Sequence, residues 1–86
     1  MQTYITYDRE ADVLFVQWAE REPGRTGSRD FGGNRFVEFD EDNDPVAVEF
    51  LNASEGIDLE GIPKADLILE AIRGLGGMLT SKVHAA

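Results

Sequence analysis

The stretch Val13-Leu14-Phe15-Val16-Gln17-Trp18 decides how this chain is read. Successive side chains of an extended strand point to opposite faces, and here both alternate sets, Leu14/Val16/Trp18 and Val13/Phe15, are apolar. A strand of this kind needs cover on both sides. Upstream, Thr3 to Tyr7 is rich in the aromatic and β-branched residues that suit a pleated surface, and Asp8-Arg9-Glu10-Ala11-Asp12 reads as the turn joining the two strands. Downstream, Arg35 to Asp40 and Pro45 to Leu51 bracket Glu41-Asp42-Asn43-Asp44 as a hairpin. In its second arm Val46, Val48 and Phe50 share a face that should be fully buried, while Ala47, Glu49 and Leu51 share one that should be partly exposed.

Between these strands the polar segment from Ala19 to Asn34 carries Pro23 and several glycines, which argues for a long loop with a short irregular edge strand near Ser28 to Phe31. After Asn52 the chain leaves the sheet, and Pro63 stands where the first turn of a helix tolerates a missing N–H. Leu67, Ile68, Ala71, Ile72 and Leu75 fall at helical spacing, and Gly74, Gly76 and Gly77 stop the helix. The expectation is a single α+β domain over 1–86, strand-rich over 3–52, with a connector over 53–62, a helix over about 63–75 and a weakly ordered tail over 76–86. Its sheet is an antiparallel meander of about four main strands with one C-terminal amphipathic helix packed on it. One helix covers one face, so the other must meet a curled sheet, the tail or another subunit, and a homodimer is the simplest remedy.

Eighty-six residues with 8 Lys plus Arg against 17 Asp plus Glu carry a formal charge of −9, which repels nucleic-acid phosphates and anionic lipid. Nucleic acid is therefore an unfavoured partner, and a small basic protein a favoured one. The absence of cysteine excludes disulfides, thiolate metal sites and cysteine nucleophiles, and fits a cytoplasmic protein. No run approaches the roughly 20 apolar residues that span a bilayer, and the first residues lack a signal-peptide pattern.

Catalytic equipment is sparse. Asp40, Asp42 and Asp44 have the alternate spacing of the first ligands of a calcium loop, but Pro45 stands where that loop needs glycine and Leu51 where it needs a bidentate carboxylate. The segment reads as a solvated turn. The sole histidine, His84, reads as an exposed tail residue, and Ser28, Ser54 and Ser81 lie in loop or tail contexts without a base in reach. Glu38 and Glu49 sit in adjacent arms of the hairpin and could face one another, most simply as a solvent-facing polar pair. Gly74-Leu75-Gly76-Gly77 follows a helix, whereas a phosphate loop precedes one. Neither a cofactor nor a metal is expected, and the chain leans away from being an enzyme.

The least ordinary feature is Arg21, Arg25, Arg29 and Arg35, opposed within their segment only by Glu22 and Asp30. Residues 21–35 therefore carry +2, leaving −11 for the rest. Forked guanidinium donors in a glycine-rich loop are candidates for phosphate, RNA or acidic-partner binding, or for pairing with the chain's own carboxylates. Asp8 and Asp12 are candidates for fixing the strand-joining turn through local backbone amides, with Glu10 left in solvent. Tyr4, Tyr7 and Trp18 read as aromatics covering the sheet. Leu67, Ile68, Ile72 and Leu75 are either core or a partner-binding stripe.

The segment Tyr7-Asp8-Arg9-Glu10-Ala11-Asp12-Val13-Leu14-Phe15-Val16 resembles the opening motif of a small bacterial family, domain of unknown function 2283. Val37 to Asp42 followed by Pro45 to Ser54 is similar to that family's hairpin, so the resemblance covers residues 4 to 54. It brings no catalytic residues. It implies an antitoxin-like protein that covers a small basic partner through complementary charge. The reading is a noncatalytic interaction module. The alternatives are a carboxylate- or metal-dependent hydrolase at a dimer interface, and an RNA or nucleotide binder using the arginine loop.

Overall fold

A computed structural model describes residues 3–20, 26–74 and 83–84 of the chain. Five strands form one antiparallel sheet: β1 (Tyr4–Asp8), β2 (Val13–Gln17), β3 (Gly27–Gly32), β4 (Arg35–Phe39) and β5 (Pro45–Leu51). The order across the sheet is β1-β2-β5-β4-β3. It is not a simple meander: the hairpin β1–β2 and the meander β3–β4–β5 meet where β5 returns beside β2. β5 therefore takes the middle, beside β2, and its Val46, Val48 and Phe50 are buried on one face. On its other face Ala47 is also buried, while Glu49 and Leu51 are half-buried.

The fifth strand, β3, lies where the sequence suggests only a short irregular edge. It is an edge strand, with glycine at both ends and a register shift between Asp30 and Gly32. Gly33 and Asn34 both adopt positive φ, 61° and 64°, between the paired residues Gly32 and Arg35. That is the two-residue turn whose twist matches a hairpin.

A short 3-10 turn (Ala53–Glu55) and strand β6 (Ile57–Asp58) lead to helix α1 (Ala65–Arg73). The helix starts two residues later than the sequence suggests, because Lys64 sits in the left-handed region at φ 61°. Its buried stripe is also rotated. Ile68 and Ile72 are fully buried and Ala65 and Leu69 pack beside them, whereas Leu67 is half-buried and Leu75 lies outside the described residues. Ile68 and Ile72 join Leu14, Val16, Val37, Val48 and Phe50 with Ala53, Ile57, Leu59 and Ile62 in one core. Each fully buried isoleucine contributes about 1.5–3 kcal/mol.

Most of the expected weakly ordered tail lies outside the described residues. Its Val83–His84 forms β7, paired in parallel with β6. The face of the sheet away from the core carries half-buried Val13, Phe15, Phe36 and Leu51 beside exposed Tyr4 and Thr6. Tyr7 and Trp18 pack against the core as expected, but Tyr4 is 62% exposed and covers nothing. No helix among the described residues is long and apolar enough to cross a membrane.

Candidate functional site

The turn after β1 is closed by aspartates in two different ways. Asp8 Oδ1 accepts the backbone N–H groups of Glu10 and Ala11 at 3.0 and 3.1 Å, a local bracket of the kind aspartate favours in turns. Asp12 takes up the left-handed conformation at φ 57°, which aims its carboxylate away from its own turn. Its Oδ1 accepts the Tyr7 hydroxyl at 2.6 Å and the Ser54 N–H at 2.9 Å, and its Oδ2 accepts the Ser54 hydroxyl at 2.6 Å. The Asp12 carbonyl accepts the Ala53 N–H at 3.0 Å. One residue thus ties the first hairpin to the chain leaving β5.

These donors favour the ionised form of the group. The Ser54 hydroxyl, then the Tyr7 hydroxyl and the Ser54 N–H, hold the Asp12 carboxyl below its ordinary 3.8 against the opposing effect of partial burial. The same bond to Asp12 raises the Tyr7 hydroxyl above its ordinary 10.0. A carboxylate made less basic is a poor general base for Ser54, because a base that activates a hydroxyl must take up a proton near neutral pH. The arrangement positions backbone.

Among the arginines, Arg35 is committed inward. Its side chain is 13% exposed. Its Nε donates to the Gly32 carbonyl at 2.8 Å, Nη2 to the Phe31 carbonyl at 2.9 Å, and Nη1 to the carbonyls of Asp58, at 3.3 Å, and Glu60. The Asp58 carboxylate lies 3.9 Å away. Arg29 is exposed, stacks 4.0 Å over the Phe39 ring and donates to the Asn43 side chain. Phe39 in turn stacks on Phe31, with centroids 6.3 Å apart. Arg29 therefore reaches the β4–β5 turn and Arg35 the connector beyond the other end of β5, and the two do not converge. Arg21 and Arg25 lie outside the described residues.

The remaining candidates separate as well. Glu38 pairs across the sheet with Ala47, and Glu49 with Phe36, so the two glutamates share a face as diagonal neighbours and not as a facing pair. Asp40 Oδ1 accepts the N–H groups of Asp42 and Asp44, both at 2.9 Å, which makes the acidic turn self-bracketing. No group of three His, Cys, Asp or Glu among the described residues is placed to hold a metal ion. Ser28 is exposed on β3; Ser81 and the side chain of His84 lie outside what is described. Glu10 is exposed, as expected.

The sequence points to Asp12 as a turn residue but not to its partners. Tyr7 stands five positions before it and Ser54 forty-two after. The one available signal is that two separated motifs, Tyr7 to Val16 containing Asp12 and Pro45 to Ser54 ending in Ser54, belong to a single resemblance. A family model described as Protein of unknown function (DUF2283) matches residues 4–54. No curated protein and no solved structure matches the chain.

Proposed function

Because this chain belongs to the DUF2283 family, and the motif carboxylates of Asp8 and Asp12 here bond backbone amides, one within its turn and one across to Ser54, we propose that it is a noncatalytic interaction module. Its acidic sheet end engages a small basic protein, in the manner of an antitoxin that masks a cationic surface. The observation that carries the reading is the gathering of carboxylates around the Asp12–Ser54 tie. Exposed Asp8 and Glu10 lie in the turn that ends at Asp12, exposed Glu55 follows Ser54, and exposed Glu60 lies farther along the connector. Exposed Arg9 in the same turn offsets one of these carboxylates, whereas Arg35 is occupied by four backbone carbonyls, so the cluster keeps a net negative charge. Like-signed groups on a rigid support attract an oppositely charged partner and repel others. The chain as a whole acts in a reducing compartment on this reading, since it needs no disulfide.

The test is capture of the partner from nuclease-treated lysate of the native host, with low-salt and then high-salt washes and mass spectrometry of the eluates. A stoichiometric small basic protein should be held at low salt and released at high salt, and Glu10→Lys with Glu55→Lys should weaken its retention by about tenfold or more. Recovery of the chain alone through both washes, or retention indifferent to the double reversal, overturns the proposal.

A further inference from the structure

The sheet has two edges, and they are unlike. β3 is blunted in the ways natural edges are: glycine at both ends, charged Arg29 and Asp30 within it, and a register shift before Gly32. β1 has none of these devices. All five of its residues pair with β2 in unbroken register, it holds no Pro, Gly or Lys, and its single charge, Asp8, is at its end. Among the described residues β2 is its one strand neighbour, and none of them adds a strand to the opposite side of β1. Tyr4, Thr6 and Asp8 are exposed on one face; Ile5 and Tyr7 are half-buried on the other.

We propose that β1 pairs antiparallel with β1 of a second copy about a two-fold axis through Thr6, joining two five-stranded sheets into one. The sequence of the strand is self-complementary in that register. Tyr4 falls opposite Asp8 of the second copy, a hydroxyl donor facing a carboxylate. Ile5 falls opposite Tyr7 and extends the apolar face on which the helix packs, and Thr6 meets Thr6, a favourable cross-strand pair. This register alone pairs all five residues of both strands. A slip of one residue would set core-facing Ile5 against outward-facing Thr6 and place the two helices on opposite faces of the joined sheet. The occupant is a second copy and not an unrelated strand, because each side chain of the edge finds its match within the same edge. Two five-residue strands make a small interface, so association belongs in the micromolar range.

The full chain contains no cysteine, so single-cysteine variants read the interface directly. Facing residues of antiparallel strands lie about 4.5–5.5 Å apart at Cα, within disulfide reach. Under mild oxidation Thr6→Cys should form a covalent dimer at least about tenfold faster than Ser28→Cys on the other edge, the pairing raising its local thiol concentration. Light scattering at high micromolar concentration should give twice the chain mass for the unaltered protein. It should give the single mass for Thr6→Lys, which sets two like charges on the axis while circular dichroism stays unchanged. A monomeric unaltered chain, equal cross-linking of the two cysteine variants, or a Thr6→Lys protein that remains dimeric each overturns the proposal.

Discussion

The two ends of the sheet each combine an aspartate and an arginine, yet they are closed in different ways. At the end where β4 turns into β5, Asp40 brackets amides two and four residues ahead, and Arg29 lies across Phe39 to reach Asn43. At the opposite end Asp12 reaches Ser54, and Arg35 gathers carbonyls from the β3–β4 turn and from the connector. The contacts of Asp40 and Arg29 lie within one meander, and that end is largely a hairpin that shapes itself, joined from outside by Trp18, whose indole and backbone N–H groups donate to the carbonyls of Pro45 and Val46. The second end joins segments that no local preference would bring together. It teaches that the carboxylate and carbonyl of one motif residue, Asp12, act as a long-range fastener while Asp8 of the same motif acts locally.

Substitutions at the two ends can sharpen that contrast. Arg35→Ala should have the largest effect, about 2–3 kcal/mol of unfolding free energy, because it strips partners from four carbonyls that the guanidinium now shields. Urea titration followed by the fluorescence of Trp18, the only tryptophan, measures it. Asp12→Ala should come next, and its signature is the pH profile. The folded state holds the Asp12 carboxyl below its ordinary value, so its contribution is present above 3.8 and disappears as pH falls through the lowered value. The variant should therefore lose less stability on acidification than the unaltered chain; parallel acid limbs would break the link between the fastener and its charge. Ser54→Ala removes one hydroxyl bond and leaves the N–H bond, and should cost about 1 kcal/mol. At the self-shaped end, Arg29→Ala should cost only about 0.5 kcal/mol, the worth of an exposed cation over a ring. If Arg29→Ala proved as damaging as Arg35→Ala, the distinction between the two ends would fail.

Local periodicity made the hairpin of β4 and β5 legible, because Val46, Val48 and Phe50 recur at every second position and are buried together, although Ala47 on the other face is buried too. The edge strand β3 was half legible. Its glycines argue against a central strand, and Gly33-Asn34 is also a hairpin signal, which is what closes β3 onto β4. The helix showed its amphipathic period but not its phase: Leu67 and Leu69 are equally apolar, and only packing against the sheet selects Leu69. The relation of Glu38 to Glu49 depends on register, which the irregularity between Glu38 and Phe39 sets. The Asp12 fastener could not be read at all, since nothing local connects a turn residue to a serine forty-two positions away. Arg35 illustrates the same limit. Counted with Arg21, Arg25 and Arg29 it adds to a positive segment, yet its donors are used inside the fold.

The placement of β5 has a consequence for how the molecule is made. The last strand of the sheet in sequence is its middle strand in space. A growing chain that has passed Gln17 holds an isolated hairpin, and two strands alone are marginal in water. The β3–β4 pair that follows is equally short of neighbours. Only when Pro45–Leu51 has been synthesised can one segment border both pieces, and the Ser54 clasp on Asp12 becomes available three residues later. Shortening the chain from its C-terminal side past Pro45 would thus leave two hairpins with no common partner, and not a smaller version of the same sheet.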